Sequence, residues 1–241
     1  SEENIGGEEG IIEERRKKLQ LLRDKNKAYI NDFVKKHYAK SLHRENDSFS
    51  KDELEKKNIT GISVSGIMGS GIACHFANIG VEVLLLDMPP NELNDWEKNK
   101  DLHINDKIVK NRIVNDMFKK CIKTKPFPIY DKKFIKRIHL GNFEDDMHLI
   151  KNYDWVIEVV VEKLDVKKSI FEKVDKYRAK GTLVSSNTSG IPIKLMNEGR
   201  SEDFQNHFSI THFFNPPRYL NLFEVIPGPN WKNEIIDFLM N

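Results

Sequence analysis

The chain has 241 residues, of which 39 are Lys or Arg and 37 are Asp or Glu, leaving a formal charge of +2. That balance excludes attraction to nucleic acid or to an anionic membrane as the chief basis of binding. Hydrophobic residues make up 39%, and no apolar run approaches the roughly 20 residues of a spanning helix, so the sequence predicts a cytoplasmic protein whose start lacks a signal-peptide pattern.

From Gly10 to Lys27, apolar Ile11, Ile12, Leu19 and Leu22 stand among charges with acids leading and bases following, which predicts an amphipathic helix. A polar stretch over 31–57 carries Phe33, Tyr38 and Phe49, and Ser50 with Glu53 can cap a further helix. Residues 1–58 therefore read as a charged helical arm, either solvated or binding a partner. Residues 59–241 read as one α/β domain.

That domain opens with Ile62 and Val64 alternating with Ser63 and Ser65, the pattern of a half-exposed strand from a different kind of sheet. Residues 66–80 read as a glycine turn opening a helix that closes on Gly80. Residues 81–87 are a short apolar run ending in Asp87, a buried parallel strand. Residues 91–135 are charged and helical, with a break at the two prolines of 125–128. Residues 155–161 are a third buried strand, 166–177 a helix, and 183–186 and 210–214 two more strands. Strands alternating with helices predict a Rossmann-type, doubly wound parallel sheet that binds ligands at the carboxyl ends of its strands. The run from Asn233 to Asn241 has helical apolar spacing without a stop signal, so both ends of the chain read as cut.

A dinucleotide turn needs one glycine for a tight turn, a second for approach of the pyrophosphate, and a third for packing of helix on strand. Gly66 and Gly69 fit the second and third, with Ile67 and Met68 between them and Gly71 behind. Val64 occupies the place of the first. Asp87 follows Gly66 by 21 residues, where a carboxylate can take both ribose hydroxyls and repel a 2′-phosphate. The expected cofactor is NAD.

His212, in a strand-like run, is followed by Glu224 in a second one. A buried His held by a Glu is a proton acceptor with a fixed tautomer, as oxidation of an alcohol requires. His75 and His207 read as structural. Cys74 and Cys121 make neither a disulfide framework nor a metal-ligand cluster.

From Ile67 onward the chain resembles the NAD-binding domain of 3-hydroxyacyl-CoA dehydrogenases. The matching stretches are 66–73 (Gly-Ile-Met-Gly-Ser-Gly-Ile-Ala), 84–87, 156–162, 186–189 (Ser-Asn-Thr-Ser), 212–216 (His-Phe-Phe-Asn-Pro) and 222–226. The resemblance implies oxidation of an (S)-3-hydroxyacyl-CoA by NAD in fatty-acid β-oxidation, with His212 as base and Glu224 as its orienter. It also implies that Ser189 and Asn215 hydrogen-bond the reacting oxygen and help place the nicotinamide, and that Glu162 and Lys167 contact the ribose region. The family carries an all-helical domain that covers the acyl chain and forms a homodimer, and the chain stops before it. Residues 12–23, 31–33 and 62–68 resemble the start of a bacterial lysyl-tRNA synthetase, which implies a junction near Gly66. Two other readings stay open: an inactive nucleotide-binding fragment, and an RNA-binding or interaction protein that uses the N-terminal helix.

Overall fold

A strand that is apolar at every position has two faces to bury, and the sheet of this protein meets that demand with helices on both sides. The computed structural model describes residues 62–64, 67–220, 222–229 and 231. The predicted arm over 1–58 and the turn residue Gly66 lie outside them. Among the described residues seven strands form one sheet: β1 (Ile62–Val64), β2 (Val83–Asp87), β3 (Ile138–Asn142), β4 (Trp155–Glu158), β5 (Leu183–Ser186), β6 (Phe208–Phe213) and β7 (Phe223–Pro227). Their order is β3-β2-β1-β4-β5-β6-β7, parallel throughout except for the antiparallel pair β6 and β7. This is the α/β, doubly wound class that the alternation of elements predicts.

Successive residues of a strand face opposite sides, and the core divides accordingly. Val83, Leu85, Trp155 and Ile157 pack with Ile72 and Phe76 of helix α1 (Ile67–Asn78). Leu84, Leu86, Val156 and Val184 pack on the other side. The helices between β2 and β3 are α2 (Asp95–Lys98), α3 (Lys107–Lys110) and α4 (Arg112–Cys121), and Val114 and Phe118 of α4 join the α1 layer. Helix α5 (Leu164–Tyr177) covers the opposite face through Lys167, Ile170, Phe171 and Val174, one stripe at helical spacing. Two short helices follow, α6 (Ile193–Asn197) and α7 (Glu202–Asn206). The rings of Phe171, Phe204 and Phe208 meet at centroid distances of 5.0 to 5.7 Å, and each such buried side chain contributes about 1.5–3 kcal/mol.

Helix α1 ends as the sequence predicts. The Gly80 N–H donates to the Ala77 carbonyl at 3.3 Å and the Val81 N–H to the Phe76 carbonyl at 3.1 Å. Gly80 sits at φ 103°, the left-handed conformation such a helix stop requires.

The structure departs from the expectations in four places. Residues 62–64 are not a strand of another sheet: β1 pairs in parallel with β2 on one side and β4 on the other, with Ser63 in register between Leu84 and Val156. Ladder hydrogen bonds are made by backbone, so the serine does not prevent a central position. Strand β3 has no counterpart in the expectations; it is an edge strand on which Ile138 is buried and His139 exposed, so its sequence lacks a continuous apolar run. The helical stretch over 91–135 is three short helices and a 3-10 turn at Lys132–Arg137. Its first helix is fixed by a capping box, with the Asn94 side chain accepting from the Glu97 N–H at 2.9 Å and the Glu97 carboxylate accepting from the Asn94 N–H at 2.8 Å. The third expected strand stops at Glu158, where the side chain turns back to accept the Val160 N–H.

Candidate active site

Strand β1 is central, and the connections leave it and β4 toward opposite faces, so a crevice opens at the carboxyl ends of these two strands. Helix α1 begins there, with Ile67 and Met68 in its first turn and Gly69 and Ser70 buried behind them. Asp87 ends the neighbouring strand β2. One of its carboxylate oxygens accepts the Met88 N–H at 2.8 Å, and its carbonyl accepts the Phe143 N–H at 3.0 Å. An acid and a helix start thus share one end of the sheet.

His212 and Glu224 are cross-strand partners in the β6–β7 ladder. The His212 Nδ1 lies 2.9 Å from a Glu224 carboxylate oxygen. The carboxylate accepts the Nδ1 proton and leaves Nε2 as the basic nitrogen. The imidazole is also fixed by the Phe214 ring, 4.5 Å away between centroids and tilted by 51°. The sequence reading places a buried His here; the structure shows a side chain 22% exposed beside a Glu224 that is 52% exposed. A proton acceptor for an external substrate needs that access.

The loops after β5 and β6 carry the other expected residues. Asn187 links three strands: its N–H donates to the Glu158 carbonyl at 2.8 Å, and its side-chain oxygen accepts the Phe213 N–H at 2.8 Å, beside His212. Ser189 follows two residues later and is exposed, as is Asn215. Asn215 lies on the wall of a pocket of about 530 Å³, together with Met68 and Gly71 of α1 and the cations Lys120, Lys125 and Arg218. The Arg218 guanidinium stacks 3.7 Å from the centroid of the Tyr130 ring and donates to the Phe127 carbonyl. These contacts tie the loop after His212 to the segment that follows α4.

Sequence reasoning misses the polar centre beneath this surface. Glu158, at the end of β4, is wholly buried and receives the Lys167 ammonium at 2.9 and 3.0 Å, the Ser186 hydroxyl at 2.5 Å and the Val160 N–H at 2.5 Å. Burial pushes the Glu158 carboxyl up, against the pull of Lys167 and the other donors. Lys167 also lies 3.4 Å from Glu162, which accepts the Thr188 hydroxyl. Burial acts to raise Glu162, but the Thr188 hydroxyl, the Lys167 charge and the Gly190 N–H together hold it below its usual range.

None of the Lys167 side chain is exposed and it is bonded to Glu158, while Glu162, 46% exposed, is the member presented to solvent. The physical reason is that a buried ammonium needs a carboxylate partner, and β4 supplies one. A signal was available in the sequence, since Glu158 interrupts an apolar strand.

Residues 60–241 match the family described as "3-hydroxyacyl-CoA dehydrogenase, NAD binding domain". The chain is 51% identical over 175 residues to a probable 3-hydroxyacyl-CoA dehydrogenase of Bacillus subtilis, covering 73% of this chain and 22% of that protein. It is 44% identical over 184 residues to a protein of the same description from Deinococcus radiodurans, covering 76% of this chain and 48% of that one. Among solved structures, 3-hydroxybutyryl-CoA dehydrogenase from Escherichia coli superposes with a TM-score of 0.52 at 27% identity, over 76% of this chain and 35% of that one. The chain thus spans about a fifth to a half of the length of these curated relatives. The match covers every described strand and both sides of the crevice, and the chain therefore belongs to the 3-hydroxyacyl-CoA dehydrogenase family, whose NAD-binding domain it carries.

Proposed function

We propose that this chain takes part in oxidising the (S)-3-hydroxyl of an acyl-CoA to a ketone with NAD⁺, in fatty-acid β-oxidation. The observation that carries the reading is the His212–Glu224 pair, an imidazole with one nitrogen fixed by a carboxylate and the other available. It sits at the same end of the sheet as the start of α1 and as Asp87.

The residues present suit the dinucleotide. Ile67, Met68 and Gly69, the first residues of α1, would receive its pyrophosphate, together with Gly66 of the glycine motif in the sequence. Asp87 offers a carboxylate for ribose hydroxyls, and Glu162, supported by Lys167, offers a second one. When bound, NAD⁺ supplies the acceptor for hydride. The chain's own groups handle the proton. His212 Nε2 accepts it from the substrate hydroxyl, and Glu224 stabilises the imidazolium that results. Ser189 and Asn215 donate to the reacting oxygen and hold the nicotinamide beside it. The pocket lined by Lys120, Lys125 and Arg218 suits a substrate that carries phosphates.

A titration of the intact 241-residue chain with NADH, followed by an assay of acetoacetyl-CoA reduction, tests the reading. Saturable NADH binding with turnover is expected. Binding without turnover would leave only a nucleotide-binding domain. No binding would remove the dehydrogenase reading altogether and direct attention to the N-terminal arm as an interaction element.

A further inference from the structure

Strand β6 outruns its neighbour β5. The parallel pairing of the two ends at Ser186 beside Ile210, yet β6 runs on through Thr211 and His212 to Phe213. Over these last residues β7 lies on one side and, among the described residues, no strand lies on the other. A backbone group left without a ladder partner needs water or a side chain. Asn187, the residue after β5, supplies the side chain. Its own N–H donates to the Glu158 carbonyl of β4 at 2.8 Å, while its Oδ1 reaches the opposite way and accepts the Phe213 N–H at 2.8 Å.

The tie falls between groups with expected roles. Phe213 directly follows His212, and its ring packs in the core at 5.9 Å from Phe76 and 4.6 Å from Phe223, between centroids. The residue beside the imidazole is thus pinned through its side chain by the core and through its backbone by Asn187. Ser189 stands two residues beyond Asn187. Between them, the Thr188 hydroxyl donates to Glu162 and accepts the Ile191 N–H at 3.3 Å, so this loop is itself anchored. Loss of the Asn187 side chain would therefore change the placement of His212 relative to Ser189 without altering either residue, and small misplacements of that kind are costly to a reaction.

We propose, resting on the reading of His212 as the base, that Asn187 is a positioning residue for the proton acceptor. Its side-chain oxygen stands in for the strand that β6 lacks beyond Ile210 and sets His212 against the loop that carries Ser189. Aspartate could accept the same N–H, whereas alanine has no acceptor and serine is too short to reach.

The test compares Asn187→Ala, Asn187→Ser and Asn187→Asp with the unmodified 241-residue chain. Amide exchange at Phe213 reads the tie, and the nitrogen NMR signals of the His212 imidazole read its tautomer; neither measurement needs turnover. Acetoacetyl-CoA reduction and NADH titration read the consequence. In Asn187→Ala and Asn187→Ser, exchange at Phe213 should quicken by about tenfold, and kcat should fall by roughly 10²-fold. NADH affinity and binding capacity should be preserved, and Asn187→Asp should recover most of both changes. A side chain that only stabilises the fold would lower kcat and NADH-binding capacity together, and that outcome overturns the proposal. So does a parental kcat in a variant whose Phe213 exchange has quickened, or a parental exchange rate in both short variants. If the unmodified chain reduces no acetoacetyl-CoA, the dehydrogenase reading fails by itself and the tautomer decides the positioning. A proton shared between Nδ1 and Nε2 in the short variants then supports it, and one that stays on Nδ1 overturns it.

Discussion

The Lys167 ammonium meets both oxygens of the Glu158 carboxylate, at 2.9 and 3.0 Å, with neither side chain exposed. A pair of this kind is tightly coupled: removing one partner strands the other charge in the interior. Lys167→Met alone should lower the unfolding free energy by about 3–5 kcal/mol. Glu158→Leu in the same chain should return most of that loss. Urea unfolding of the two single variants and the double variant measures the coupling, and strictly additive losses would contradict it.

Gly80 offers a cleaner test of backbone strain. A Cβ built there meets nothing within 4 Å, yet φ is 103°. Gly80→Ala should therefore destabilise through conformation alone, by about 1–2 kcal/mol. Thermal unfolding at neutral pH reads it, and an unchanged midpoint would mean that α1 stops by some other means.

Asp203 predicts an acid limb in the stability curve. Burial acts to raise its carboxyl, but the Gly181 N–H and the Arg178 guanidinium, 2.7 Å away, hold it below the ordinary carboxylate range. A depressed folded value means that the unfolded chain binds the proton more readily. The contribution is thus complete above the unfolded pKa and is lost as pH falls through the folded one. Asp203→Asn should cost on the order of 1 kcal/mol at neutral pH. The gap between variant and parent should close in acid, which unfolding measured across pH checks.

The acid at the end of β2 sets a specificity prediction. If Asp87 takes both ribose hydroxyls, Asp87→Ala should weaken NADH binding by roughly tenfold to a hundredfold, the value of one charged hydrogen bond. It should weaken NADPH binding far less, since the repulsion of a 2′-phosphate goes with the carboxylate. Fluorescence titration with both nucleotides separates the two effects, and equal losses would remove Asp87 from the ribose.

For the base and its orienter, kinetics and binding should part. His212→Gln should abolish acetoacetyl-CoA reduction with little change in NADH affinity. Glu224→Gln should lower kcat by roughly 10²-fold or more with NADH affinity again preserved. Unchanged reduction in His212→Gln would refute the assignment of the base.

The parts of the fold legible in sequence are those where one residue decides the local energy. Continuous apolar runs reveal β2 and β4, because a strand covered on both faces can hold little else. Gly80 and Asp87 mark their elements for the same kind of reason. What stays hidden is decided by partners distant in sequence. Three residues with a central serine become the middle of the sheet only because β2 and β4 flank them. Within the candidate site, the order of His212 and Glu224 is visible, but their meeting depends on an antiparallel register that no periodicity encodes. The joining of Glu158 to Lys167, and of Asn187 to Phe213, is likewise a product of strand order.

The antiparallel ladder has a dynamic consequence. Among the described residues β7 ends the sheet and has β6 as its single neighbour, so Glu224 is held by one row of hydrogen bonds, while β6, which carries His212, is paired on both sides. Edge ladders open far more often than a protein unfolds. Each opening parts the carboxylate from the imidazole. The proton acceptor should then exist in two populations, oriented and unoriented, whose ratio amide exchange along 223–227 reports directly. The working lifetime of the base is a property of the sheet's last strand.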